Sequence, residues 1–144
     1  MISTNLRQVI GEIDKYKLDV KTNVKATRDE MAASALMLMK KQVSTRQGYT
    51  GRGAKKKYIP TAAGAPPAKQ TGTLFRTIKS RKWNKVESYG ANVGLMTRSK
   101  AYYGVILEAG SKTGKWRHQW AEPAFRQFQP IATSIIAKNL GRVK

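Results

Sequence analysis

The chain has no cysteine, one histidine and only 8 acidic side chains in 144 residues. Without cysteine there are no disulfides and no Cys-based zinc sites, and a reducing compartment is expected. A lone histidine cannot build a metal centre, which needs several His or carboxylate ligands at helical or hairpin spacing. His118 stands between Arg117 and Gln119, with Trp116 and Trp120 close by, which suits an interface or surface position better than a general base. The acids Glu12, Asp14, Asp19, Asp29, Glu30, Glu87, Glu108 and Glu122 are scattered. Most lie in the first third of the chain, where pairing with lysines a turn away accounts for them. No nucleophile–base pair or carboxylate dyad emerges, so a non-enzymatic protein without metal or cofactor is expected. No apolar run reaches the roughly 20 residues that span a bilayer. The first residues, MISTNLRQVIGEID, lack the basic and apolar regions of a secretory signal.

Two glycine patterns carry no chemistry either. Gly110-Ser-Lys-Thr-Gly-Lys115 has the wrong spacing for a phosphate loop, and Trp116 stands where Ser or Thr must bind magnesium. Gly51-Arg-Gly53 lacks a third glycine. Both read as turns.

What the chain does have is positive charge. Lys and Arg number 28, giving a net charge of +20. Residues 1–44 hold 8 basic and 5 acidic side chains, whereas residues 45–144 hold 20 basic and 3 acidic. That excess implies a polyanionic or acidic partner, either nucleic acid or an acidic protein surface. Aromatics interleave with the basic residues at Tyr49, Tyr58, Trp83, Tyr89, Tyr102, Tyr103, Trp116 and Trp120. Such side chains stack on bases and also anchor protein interfaces. No zinc finger, RNP-type strand or helix-turn-helix pattern is present.

One domain is expected, in three parts: a helical segment over 1–44, an extended basic loop over 45–70, and a sheet with a C-terminal helix over 71–144. Leu6, Ile10, Ile13, Val20, Val24, Met31, Ala35 and Leu38 recur at spacings of three, four or their sum. This predicts one helix over 6–43, with Lys17 and Thr27 filling gaps in the stripe. Its 38 residues would extend about 57 Å, while a domain of this size is roughly 37 Å across. The helix therefore either breaks near Gly11 or projects as an arm. Residues 45–73 hold five of the twelve glycines, three of the five prolines and the run Lys55-Lys56-Lys57. A loop this long is expected to be an assembly element. Beyond it, Thr71 is placed to cap a short helix carrying Leu74 and Ile78. A strand over Ile78–Val86 follows, with a turn near Asn84-Lys85 and a partner strand over Ser88–Arg98. Residues 101–109 form a short apolar run. The last helix is expected from Pro123, with Phe125, Phe128, Ala132, Ile135, Ile136 and Leu140 facing inward, a kink at Pro130 and a stop at Gly141.

The order of these landmarks resembles a known family. After the long helix come Gly64-Ala65-Pro66-Pro67 and then Thr71-Gly72-Thr73-Leu74-Phe75-Arg76-Thr77-Ile78, similar to a T-G-x-L-x-x-S-I signature. A hairpin precedes Ala101-Tyr102-Tyr103-Gly104-Val105-Ile106-Leu107-Glu108-Ala109-Gly110, which resembles a Y-A-x-x-x-E-x-G element, and Ala121-Glu122-Pro123-Ala124-Phe125 opens the last helix. This layout is similar to the neck or tail-completion proteins of long-tailed bacteriophages, the head–tail joining or minor tail components. Thr77 stands for the usual serine, Gly104 for alanine and Ala109 for an aromatic.

The resemblance implies an α+β fold, with the long N-terminal and kinked C-terminal helices packed on a small antiparallel sheet. It implies a virion protein, made in the host cytoplasm, that forms a ring at the head–tail junction. The ring would be a homo-oligomer, commonly sixfold, touching other neck and tail proteins and surrounding DNA without reading its sequence. Candidate DNA-path residues are Arg52, Lys55, Lys56 and Lys57. Candidate interface residues are Tyr58, Pro66, Pro67, Tyr102, Tyr103, Glu108, Trp116, Arg117 and Trp120. Glu108 lies in an apolar segment, so its charge needs a partner such as Arg117 or Arg126. The alternative is a basic nucleic-acid-binding protein of another kind, ribosome- or nucleoid-associated.

Overall fold

A computed structural model describes residues 2–44, 49–50, 57–58, 73–85, 88–95 and 120–141 of the chain. In order, the elements are α1 (Ile2–Ser44), β1 (Tyr49–Thr50), β2 (Lys57–Tyr58), α2 (Thr73–Thr77), β3 (Ile78–Asn84), β4 (Tyr89–Leu95) and α3 (Ala121–Leu140). The class is α+β: a long N-terminal helix, a C-terminal helix and a two-stranded antiparallel sheet of β3 and β4. The short strands β1 and β2 pair separately, Tyr49 opposite Tyr58. The remainder of the 45–70 loop and the apolar run at 101–109 lie outside the described residues.

α1 is one unbroken helix of 43 residues, about 65 Å long. Gly11 sits inside it with open space where a Cβ would lie. Of the two outcomes open from the sequence, the helix projects. No proline interrupts it, and one glycine costs a helix only about 1 kcal/mol.

The hairpin sits against the C-terminal part of α1. β3 and β4 pair from Ile78↔Leu95 to Asn84↔Tyr89, and the turn closes with the Lys85 amide donating to the Ser88 carbonyl at 2.8 Å. Two glycines shape β4. The Trp83 indole lies over Gly90, its cross-strand partner, and fills the space a Cβ would need. Gly94 has a φ of +154°, a conformation side chains disfavour. Ile78, expected both on the short helix and as the start of the strand, is the first residue of β3, and α2 ends one residue before it. It still meets Leu74 in the core, because the chain passes directly from α2 into the strand.

α3 runs antiparallel to α1. At its start Trp120 packs in a cluster with Val43, Leu74 and Ile78. At its end Lys138 and Asn139 both bond Glu30 of α1, at 2.9 and 3.0 Å. The helix is continuous through Pro130, so the proline does not interrupt it. Pro130 is on the exposed side, where the carbonyl it leaves unpaired is open to water. The stop at Gly141 is a right-handed residue (φ −66°) whose amide still donates to the Ala137 carbonyl.

The inward face of α3 matches the expected one in part: Ile135 is buried and Phe128 and Ala132 are half-buried, as expected. Trp120, Ala124, Ile135 and Asn139 are buried, while Phe125, Ile136 and Leu140 are 56 %, 42 % and 39 % exposed. The buried positions are four or eleven residues apart, close to whole helical turns, and Phe125 is turned about 100° from Ala124. The small Ala124 lets the helices approach, and the bulkier Phe125 is left outside.

On α1 the covered face is wider than the stripe read from sequence. Ala32, Leu36, Met39 and Val43 face the core beside Thr27 and Leu38. A helix gripped by both a second helix and a hairpin covers two neighbouring stripes. The Thr27 and Thr77 hydroxyls are buried without an orphaned donor, because they return hydrogen bonds to the Asn23 and Thr73 carbonyls at 2.7 and 2.9 Å.

Candidate assembly interface

α3 ends level with Glu30 and Val24 of α1, and α1 continues past it. Every residue from Leu6 to Asp19 is exposed, and Val20 is the first to be half-covered. Those 14 residues form an arm about 21 Å long. The apolar stripe continues along it: Leu6 is 60 %, Val9 50 %, Ile10 50 % and Ile13 47 % exposed. These positions have the i, i+3, i+4, i+7 spacing with which an amphipathic helix fills a groove. Solitary exposed aliphatics are ordinary, but an aligned set on one helix face marks an interaction surface.

A matching concavity opens at the root of the arm. Val24, Thr27, Met31, Ala32 and Ala35 of α1, Tyr89, Gly90, Ala91 and Val93 of β4, and Phe128, Ile136 and Leu140 of α3 enclose a groove of about 350 Å³. The groove exists because β4 has only small side chains at Gly90 and Ala91, and because α3 turns Ile136 and Leu140 sideways.

Charges brace the groove's rim. Arg28 reaches from α1 to the hairpin, donating to the Trp83 carbonyl at 3.2 Å and to Asn84 Oδ1. It also pairs with Asp29 at 2.7 Å, and Lys82 of β3 meets the same carboxylate at 3.1 Å. These hydrogen bonds, from Arg28 first and Lys82 second, hold the Asp29 carboxyl below its ordinary range. Lys25 and Arg28 both approach the Tyr89 ring, at 5.4 and 6.0 Å from its centroid. On the other side, Glu30 receives Lys138 and Asn139. Asp29 and Glu30 were expected to pair along their own helix; instead they tie α1 to β3 and to α3. Among the described residues, Glu12, Asp14 and Asp19 on the arm form no such tie.

The residues singled out from sequence fare unequally. Trp120 is not a surface residue: it is 4 % exposed and packs in the core cluster, since it precedes α3 at the point where α1 and α2 converge. Arg126 pairs with Glu122 one turn back, at 2.6 Å. Tyr58 is placed only as a strand residue of β2. Arg52, Lys55, Lys56, Pro66, Pro67, Tyr102, Tyr103, Glu108, Trp116 and Arg117 lie outside the described residues, as does His118; Lys57 is placed only by its backbone in β2. Among the described residues no three His, Cys, Asp or Glu side chains converge as a metal site would require. No described helix is long and apolar enough to cross a membrane.

The groove was not anticipated from sequence, because its walls come from three separate elements. The arm had a signal, namely an apolar stripe longer than any core this chain can build. No family model, curated protein or solved structure matches the chain.

Proposed function

We propose that the chain is a structural, non-catalytic component of the head–tail junction of a long-tailed bacteriophage. In this reading it forms a ring, commonly sixfold, that joins the capsid connector to the tail around the DNA path. The observation that carries it is the pair of unlike surfaces on one subunit. An exposed apolar arm at one end and an apolar groove beside its root suit head-to-tail assembly, the arrangement that closes into rings. The charge supports the setting. The +20 chain suits a neighbourhood of acidic proteins and DNA, and the motif order from Thr71 to Phe125 is similar to that of neck and tail-completion proteins.

In that setting most of the positive charge meets protein. Six copies of +20 carry +120, whereas a ring roughly 37 Å tall encloses only about 22 phosphates of duplex. A lumen-facing subset, with Arg52 and Lys55 to Lys57 as candidates, meets that demand. The remaining charge is available for acidic faces of neighbouring neck and tail proteins.

The test is native mass spectrometry and negative-stain imaging of the purified chain, alone and with its neighbouring structural proteins. A closed ring of fixed copy number is expected. The charge also favours a second reading, a nucleic-acid-binding monomer. Salt-sensitive binding of duplex DNA by a chain that forms no closed oligomer would decide for that reading.

A further inference from the structure

We infer that the N-terminal arm of one copy seats in the α1–β4–α3 groove of the next, so that the groove is completed only by a second chain. This names the subunit contact of the proposed ring and to that extent rests on that reading.

The arm cannot fill its own groove. Val24 to Ala35 form one wall of the groove, and the arm is the unbroken continuation of the same helix. A rigid helix does not fold back onto its own side. The occupant must come from elsewhere, and charge selects it. Residues 1–20 hold three basic and three acidic side chains, while residues 21–144 hold 25 basic and 5 acidic. The arm is thus a neutral segment of a strongly basic chain, and it carries Glu12, Asp14 and Asp19 beside its apolar stripe.

Those carboxylates repel phosphates, so duplex DNA is a poor match. They are equally unsuited to an anionic bilayer, where an interfacial helix carries Lys and Arg on its polar face. They suit a basic protein surface, and the groove's rim is one on balance, since Lys25, Arg28, Lys82 and Lys138 outnumber Asp29 and Glu30 there. Size agrees as well. A cavity of about 150 Å³ takes a benzene ring, so a groove of 350 Å³ takes about two aliphatic side chains, such as Ile10 and Ile13.

Two full-length variants test this. Ile10→Glu spoils the arm and leaves the groove whole. Ile136→Glu spoils the groove and leaves the arm whole. Ile10 is 50 % and Ile136 42 % exposed and neither is in the buried core, so each variant is expected to keep the wild-type melting temperature. In sedimentation velocity each alone should self-associate on the order of 100-fold more weakly than wild type. Mixed one to one, they retain one intact arm and one intact groove. They should therefore form a dimer and nothing larger.

The absence of native cysteine allows a second readout. Ile10→Cys and Ile136→Cys chains should form a disulfide across chains when mixed and oxidised, and neither should do so alone. Several results overturn the inference: wild-type self-association that survives Ile10→Glu, a mixture that stays monomeric, disulfide dimers of Ile10→Cys alone, or a wild type monomeric at every concentration. So does an arm whose substitution abolishes binding to anionic vesicles or duplex DNA but not self-association. The two readings fail separately. A closed ring that tolerates both Glu variants sinks the arm–groove contact and leaves the ring standing. An open chain of cross-linked copies sinks the ring and leaves the contact standing.

Discussion

Ile78 and Ile10 are the same side chain in opposite surroundings, and deleting three carbons from each should give very different results. Ile78 is 0 % exposed, whereas Ile10 is 50 % exposed. Ile78 is enclosed by Val43, Leu74 and Trp120, with Leu36, Met39, Phe75 and Leu95 at the edge of the cluster. Ile78→Ala forfeits about 0.8 kcal/mol for each buried carbon, or roughly 2.4 kcal/mol. The cavity adds about 1 kcal/mol where neighbours hold their positions. The expected loss is about 3–4 kcal/mol, a large part of the 5–15 kcal/mol that holds a typical domain. At about 2–4 °C per kcal/mol, the melting temperature should fall by roughly 10 °C.

Ile10→Ala removes nothing from the core and replaces a β-branched residue by the best helix former. A change within about 0.5 kcal/mol is expected, with stabilisation the favoured sign. The assay is urea unfolding followed by circular dichroism, at concentrations low enough for the monomer. The unfolded-state consequences of the two substitutions largely cancel, so their difference isolates the environment. That difference should be about 3 kcal/mol with similar m-values. A difference under about 1 kcal/mol would refute both the core assignment of Ile78 and the projection of the arm.

Gly90→Val should drive the Trp83 indole off the hairpin, raising acrylamide quenching relative to wild type; the increase should vanish in a Trp83→Phe background, and an unchanged quenching constant refutes the stacking. Asp29 has a lowered carboxyl pKa in the folded state, so its contribution is present above the usual carboxylate pKa and lost as pH falls through the folded value. Because its side chain is 46 % exposed, the gap between wild type and Asp29→Asn should be under about 1 kcal/mol at pH 6 and should close as pH falls below the usual carboxylate range; a gap that widens on acidification contradicts the pairing. Neutralising Lys55, Lys56 and Lys57 together should impair DNA retention or passage, whereas neutralising Lys79, Arg81, Lys82 and Lys85 should slow the joining of ring to partner. Unchanged joining at every salt concentration would show that the charge is not an assembly device.

The helices and the hairpin were readable because their signals are local. A run of three-and-four spacings without proline gives α1, and the residues around Asn84-Lys85 give the turn. The inward face of α3 was partly misread because bulk was taken as a sign of burial. Phe125 is larger than Ala124, yet close helix packing at that position admits only the alanine. Asn139 is buried because Glu30, 109 residues away, accepts its hydrogen bond, and no local pattern contains that partner. Trp120 looked like an interface anchor from its basic neighbours, but α1 and α2 converge on it in space. The groove was invisible for the same reason, since α1, β4 and α3 contribute to it from distant parts of the chain.

A neutral arm on a basic body also has consequences for how copies meet. Two +20 chains repel, and at low ionic strength the Debye length of about 30 Å lets that repulsion act across a whole domain. The arm–groove contact is apolar at its centre; the arm's carboxylates, offset by Arg7, Lys15 and Lys17, meet the basic rim only at its edge, so the contact loses less to screening than the repelling bodies gain. Near physiological salt the Debye length falls to about 8 Å, so repulsion between bodies fades while the apolar contact remains. Self-association should therefore strengthen as salt rises from 10 to 150 mM, on a scale of roughly 10 to 150 mM ionic strength. Binding to DNA or to an acidic protein should weaken over the same range, through counterion release and loss of steering. Opposite salt slopes in sedimentation and in DNA-binding titrations are the expected signature. Self-association that weakens with salt would mean that ion pairs hold the copies, and the apolar stripe of the arm would then not be the main contact.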